Sequence, residues 1–420
     1  MTLAEDARSI FHHALAASSI PAAFDRRIRW DSMSLERYNR HYAVAVGKAA
    51  LPMLEALRSR LPYRLAGGVC CAPLLPAERI SGVDYYAGGH PLPNQESFAS
   101  AAAALRLLHH TGPRDFVFFL ISGGGSAMFE LPLDARISLA ETQALYQALV
   151  GSGATIAEIN TVRKHFSAVK GGRLAAAAPQ AARFSLLVSD VAPMYLDALA
   201  SGLTLPDSST VAECREIVER YHLRERFSPA VQAFFDDPAL PETPSLPEAP
   251  VEILLSSDDL IEAAQAQAMT LGYEVVIDNS CDDWDYRDAA RYLLGRFDQL
   301  RSRYRRLCLL SGGEVTVRLG REHGAGGRNQ QFALACALEL AERGSMVVLS
   351  AGSDGIDGNS AAAGAIADAT TVARSQAMGI DAASALDRFD AYPLFTSLGD
   401  TLVTGPTHNN LRDLRILLSS

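Results

Sequence analysis

Residues 116–127 read FVFFLISGGGSA. Seven apolar or small residues run without a polar break, so both faces of this strand are expected to be buried. That is the pattern of a strand inside a mostly parallel sheet, covered by helices on each side. Five small residues then follow, and a helix-like segment opens. A strand ending in Gly and Ser before a helix is a βα turn, and in open α/β sheets ligands bind beyond the carboxyl ends of such strands.

The pattern recurs on both sides. Upstream, YAVAVG (42–47), GGVCCA (67–72) and VDYYAG (83–88) read as strands, and FSLLVSD (184–190) follows. Later come VEILLSS (251–257), YEVVIDN (273–279), LCLLSGG (307–313), EVTVRL (314–319), MVVLSAG (346–352), DTLVTG (400–405) and LRILLSS (414–420). Alternation with helical segments gives an α/β fold with mostly parallel sheets. The chain of 420 residues is long enough for two domains. Residues 238–250, PALPETPSLPEAP, carry five prolines in thirteen positions. Proline cannot donate to a helix or central strand, so this is a connector or a long surface loop. The expected domains are therefore 1–240 and 250–420.

Composition narrows the function. A hydrophobic content of 48% and a mean hydropathy of +0.06 describe a well-packed protein. The net charge of −10 argues against nucleic acid, whose binders usually carry a basic patch. Six cysteines include no CxxC and no His/Cys cluster, which suits reduced thiols and a cytoplasmic setting. The N-terminus, MTLAEDARSIFHHALAA, lacks the basic and apolar regions of a signal peptide. No apolar run reaches the roughly 18 residues of a membrane helix. The sequence leaves a homodimer open.

Several turns carry charge. Lys48 directly follows YAVAVG, beside an expected helix N-terminus, where a point charge suits phosphate or carboxylate. Ser122, Gly123, Gly124, Gly125 and Ser126 expose N–H groups that could cradle phosphates or could form a packing turn. In TIAEINTVRKHFSAVKGGR (155–173), Thr155 and Glu158 make a capping box, and Gly171 is the expected stop. Asn160, Arg163, Lys164, Ser167 and Lys170 share the polar stripe. It reads equally as a solvated basic face or as a polyanion site. Asp190 ends a strand, and AGSDGIDG (351–358) places Asp354 and Asp357 after another; carboxylates so placed suit Mg²⁺. In GAGGRNQQ (324–331) a glycine-rich loop opens a helix, and Arg328 can grip a phosphoryl group bidentately. Glycine loops, two cations and strand-end acids are what phosphoryl transfer requires. No GxGxxG dinucleotide fingerprint occurs in the chain.

Taken in order, VGKAA, GGHPLPN, LISGGGSA, EINTVRKHFSAVKGGRLA, LLVSDV, SGGEVTVRLG, GAGGRNQQFAL, AGSDGIDG and GDTLVTGPTHNN resemble the glycerate 2-kinase family, whose C-terminal half is the MOFRL domain. The resemblance implies two Rossmann-like α/β domains with an interdomain active-site cleft. It implies ATP and Mg²⁺, and transfer of the γ-phosphate to the 2-hydroxyl of D-glycerate. The family's catalytic lysine and arginine fall on Lys48 and Arg328. On this reading Ser122–Ser126, Asn160, Lys164, Lys170, Gly312, Gly313, Gly326 and Gly327 bind phosphates or substrate. Asp190, Asp354, Asp357 and Glu314 hold the metal.

The chain departs from the family pattern in three places. SDVAPMYLD (189–197) lacks the usual Gly-Asp-Asp run, Gln331 stands for an acid, and Ala361 stands for an aspartate. Lost acids leave two alternatives: a kinase of another small sugar acid, or a non-catalytic ligand-binding relative. Some members carry a hydroxypyruvate reductase label, which the missing fingerprint does not favour.

Overall fold

A computed structural model describes residues 2–189, 198–320, 322–341, 343–407 and 409–420. The chain divides into two compact units, 23–254 and a second formed by 1–22 with 255–420.

The first unit is built on β1 (Arg40–Val46), β2 (Leu65–Ala72), β3 (Val83–Ala87), β4 (Asp115–Ser122), β5 (Ala182–Val188) and β6 (Val251–Leu255). Their order is β3-β2-β1-β4-β5-β6. The pairs β1/β2, β1/β4, β2/β3 and β4/β5 are parallel. The apolar run FVFFLIS falls in β4, and every residue of that strand is buried. Chain direction across the sheet reverses at β1 and β4, so the turns that leave these two strands flank the topological switch point. The proline-rich segment is held on this unit: Ser185 donates its N–H to the Pro250 carbonyl at 3.1 Å, and Arg173 reaches the Pro241 and Glu242 carbonyls at 3.2 Å.

The second sheet differs from expectation. It contains β7 (Glu274–Ile277), β8 (Leu307–Gly312), β9 (Met346–Gly352), β10 (Gly364–Asp368), β11 (Thr401–Leu402) and β12 (Asp413–Ser419). Their order is β11-β10-β9-β12-β8-β7. Only β7/β8 is parallel; the β12/β8, β12/β9, β10/β9 and β10/β11 pairs are antiparallel. The last strand enters the middle of the sheet against its neighbours. Burial on both faces makes a strand apolar whichever way it runs, so composition could not report direction.

Two further expectations are corrected. EVTVRL (314–319) is not a strand; Thr316 makes only an isolated bridge to Asp285, while the short β10 escaped notice. The first helix, Leu3–Ala17, does not join residues 23–240. It packs on the helix Ser257–Thr270 and on β9 and β12, with Tyr273 donating its hydroxyl to Asp6 at 2.6 Å. No helix among the described residues is long and apolar enough to cross a membrane.

Candidate functional site

In the first unit, the turns after β1 and β4 interlock. Gly47 has φ +112°, and a Cβ there would lie 2.4 Å from the Ser122 carbonyl oxygen. Only glycine lets the two turns meet so closely. The Lys48 N–H donates to the Gly123 carbonyl at 2.9 Å, and Ser122 Oγ accepts from the Ala49 N–H at 2.9 Å. The Lys48 side chain is exposed. Gly124, at φ +80°, lies between it and His90: a Cβ would sit 3.2 Å from Lys48 Cγ and 3.4 Å from His90 Cδ2. Desolvation, then the Lys48 charge, holds the His90 imidazole below its usual pKa. Ser126 shares a 2.7 Å hydrogen bond with Ser201, whose hydroxyl also donates to Asn160 Oδ1 at 2.9 Å.

The helix carrying Asn160 runs Ile156–Phe166 and starts with the expected Thr155–Glu158 capping box. It ends at Phe166, five residues before Gly171, as the chain turns at Ser167. Its polar stripe is not a solvated face. Lys164 pairs with Asp207 at 3.0 Å, and both side chains are buried. Lys170 pairs with Glu130 at 2.5 Å, and both are fully buried. Lys170 also reaches the Phe129 carbonyl, and the Tyr146 hydroxyl donates to Glu130. Burial, only partly offset by Glu130, lowers the Lys170 pKa. Lys164 and Lys170 therefore sit in internal ion pairs, and a phosphate would have to displace a buried carboxylate to use them.

In the second unit, GAGGRNQQ opens the helix Arg328–Leu340 as the sequence suggested. The anion on its N-terminus comes from the chain itself. Asp357, 2% exposed, accepts the Asn329 and Gln330 backbone N–H groups at 3.0 and 2.9 Å. The two side-chain amides add bonds of 3.3 and 3.0 Å. Gly327 makes this possible, since a Cβ there would lie 2.3 Å from Asp357 Oδ1. Helix N–H groups expected to cradle a phosphate are thus filled by an internal carboxylate, and each Asp357 oxygen already has two donors. Burial is the main reason its pKa rises to about 6.

Arg328 points elsewhere. Its Nε and Nη2 donate to Asp413 at 2.6 and 3.0 Å, and Nη2 lies 2.8 Å from Glu314 Oε1. Its side chain is 35% exposed and Asp413 is 1% exposed, so one edge of the guanidinium is anchored and the other is accessible. Burial raises the Glu314 pKa, although Arg328 opposes that rise. Gly312 and Gly313 shape the turn behind Glu314. Asn279 accepts the Gly312 N–H at 2.8 Å, and Asp282 accepts the Glu314 N–H at 3.0 Å. Arg412 clamps Asp282 at 2.7 and 2.6 Å. A cavity of about 690 Å³ opens here, lined in part by Glu314, Gly326, Gly327, Arg328, Asp354 and Asp357. Asp354 accepts the Ile356 N–H at 3.2 Å. Among the described residues, no three His, Cys, Asp or Glu side chains converge as a ready metal cage. Asp190, with the altered run after it, lies outside the described residues.

Sequence reasoning missed Asp413 and Asp282, the acids that orient the two arginines. Asp413 opens an apolar strand and Asp282 lies in a polar run, and neither belongs to a recognisable motif. It also missed Glu130 and Tyr146, which hold Lys170.

The chain matches a domain of unknown function, DUF4147, over residues 6–236 and the MOFRL family over residues 307–413. It is 36% identical over 408 residues to the D-glycerate 2-kinase of Thermotoga maritima, covering 96% of each chain. An Agrobacterium vitis relative that carries a hydroxypyruvate reductase name is 35% identical over 382 residues, 89% of this chain and 86% of its own. The crystal structure of glycerate kinase from Thermotoga maritima superposes with a TM-score of 0.90 at 34% identity, covering 100% of this chain and 99% of that one.

Proposed function

Because the chain belongs to the MOFRL-type glycerate 2-kinase family, we propose that it is an ATP-dependent kinase that phosphorylates the 2-hydroxyl of D-glycerate to give 2-phospho-D-glycerate. The observation that carries this reading is Lys48, exposed at the switch point of a doubly wound sheet beside the glycine turn 122–126. That is where such sheets bind ligands, and a cation there suits a phosphoryl group. Phosphoryl transfer needs little covalent help from the protein, so positioning and charge neutralisation are what its residues must supply.

In the proposed roles, Lys48 and Arg328 neutralise charge on the moving phosphoryl group. Arg328 suits this because Asp413 fixes its plane while one edge stays accessible. The Ser122–Ser126 turn presents backbone N–H groups to phosphate oxygens. Glu314 and Asp354 line one cavity and offer the oxygen donors that Mg²⁺ prefers; one or two carboxylates suffice, with water and phosphate completing the shell. When bound, Mg²⁺ would neutralise charge on the phosphate oxygens. Asp357 is better suited to positioning the Arg328 helix than to binding metal, since four N–H donors already occupy its oxygens. Asp190 keeps its proposed metal role.

The test is ADP release from ATP and Mg²⁺ with D-glycerate, followed by mass spectrometry and NMR of the product. Absence of ADP with D-glycerate would sink the reading. The Agrobacterium name motivates a second assay: loss of NADH absorbance with hydroxypyruvate would favour a reductase, and we expect none because no dinucleotide fingerprint is present.

A further inference from the structure

Of the three cations Arg163, Lys164 and Lys170, one has no matching carboxylate among the described residues. Lys164 has Asp207, and Lys170 has Glu130. Arg163 is only 9% exposed and has no carboxylate partner among the described residues. Its guanidinium carbon sits 4.4 Å above the Tyr146 ring centroid, and its Nε is buried without a hydrogen bond. Glu130 cannot serve it, being engaged by Lys170 and by the Tyr146 hydroxyl. Among the described residues, the cluster of Arg163, Lys170 and Glu130 therefore holds one surplus positive charge. A guanidinium does not shed its proton to escape burial. A buried charge without a partner is costly, so this arrangement calls for an anion from outside.

The place is informative. The Tyr146 hydroxyl oxygen also lies 2.8 Å from the Ser126 carbonyl, which places the ring against the glycine-rich turn. Asn160, one helical turn before Arg163, is tied through Ser201 to Ser126. Stacking on Tyr146 covers one face of the guanidinium and leaves its N–H edge, the edge that matches a carboxylate bidentately. We propose that Arg163 binds the carboxylate of the acceptor hydroxy acid and makes the enzyme choose an acid over a neutral polyol. The identity of that acid rests on the function proposed above. A surplus of one charge suits a monoanionic carboxylate better than a polyphosphate.

The experiment is calorimetric titration of D-glycerate, of its neutral amide and of ATP into nucleotide-free wild-type protein, Arg163→Lys and Arg163→Met. D-Glycerate affinity should fall about 100-fold in Arg163→Met and about 10-fold in Arg163→Lys, which keeps the charge and loses the fork. Affinity for the amide and for ATP should change less than about 3-fold, within one hydrogen bond's worth. Should Arg163→Met fail to fold, Arg163→Lys decides. Equal glycerate affinity in all proteins overturns the proposal, as does a wild type that binds no glycerate. A matching loss of ATP affinity would assign the site to phosphate and overturn it too. Wild-type protein that binds glycerate through Arg163 without phosphorylating it would uphold the carboxylate site and end the kinase reading.

Discussion

Asp413→Asn is the most informative single change at the Arg328 clamp. Asp413 begins β12, is 1% exposed, and accepts Arg328 Nε and Nη2 at 2.6 and 3.0 Å. Asparagine keeps the shape, removes the charge and presents an NH₂ group where one N–H now finds an acceptor. Breaking a buried ion pair costs about 3–5 kcal/mol. Arg328 is one-third exposed and keeps Glu314 at 2.8 Å, so about 2 kcal/mol of stability is the fitting discount. The kinetic effect should be larger than the stability effect suggests, because the guanidinium loses its aim. Misplacement of a charge-bearing group by about 1 Å can cost about 100-fold in rate. The prediction is a kcat lowered about 100-fold with KM for D-glycerate within about 3-fold of wild type. A coupled ADP assay and a denaturant titration on one preparation measure both quantities. Turnover within about 2-fold of wild type, with the stability loss present, would refute the idea that Asp413 aims Arg328 for catalysis.

Arg328→Ala should lower turnover by about 1,000-fold, on the scale of arginine-finger losses, measured by the same assay. Lys170→Met should destabilise by about 3–5 kcal/mol in denaturant titration, because it leaves Glu130 buried and unpaired; the double change with Glu130→Gln should recover most of it. A Lys170→Met protein of normal stability but weakened ATP binding would restore Lys170 as a phosphate ligand. The Asp357 carboxyl has its pKa raised from 3.8 to about 6 by burial, so its contribution is fully present below about pH 4 and fades as pH rises through about 6. Wild-type stability relative to Asp357→Asn should therefore drift downward across that window by up to about 3 kcal/mol, from about two units at 1.36 kcal/mol each. A pH-independent difference between the two proteins contradicts that assignment.

The first sheet was legible because its signals are local. β4 is apolar at nearly every position, and its Gly-Ser exit marks a βα turn at the switch point. The Thr155–Glu158 capping box and the helix start at Arg328 were likewise readable from adjacent residues. What failed to show depended on partners far along the chain. The direction of β12 is decided by which strands accept it, and Leu3–Ala17 finds its partners more than 200 residues away. Asp357 looked like a metal ligand because the motif shows its position but not the 328–340 helix end beneath it. The stripe from Asn160 to Lys170 looked like a binding face because Asp207 and Glu130, which neutralise two of its cations, carry no mark in the sequence. Only the resulting surplus at Arg163 separates that cation from its neighbours.

The most direct measurement is the product formed by purified protein from ATP, Mg²⁺ and D-glycerate. The account predicts stoichiometric ADP and 2-phospho-D-glycerate, with the signal lost when Mg²⁺ is chelated. Silence with D-glycerate and with a panel of other hydroxy acids, while ATP still binds, would contradict it and leave a ligand-binding relative that no longer transfers phosphate.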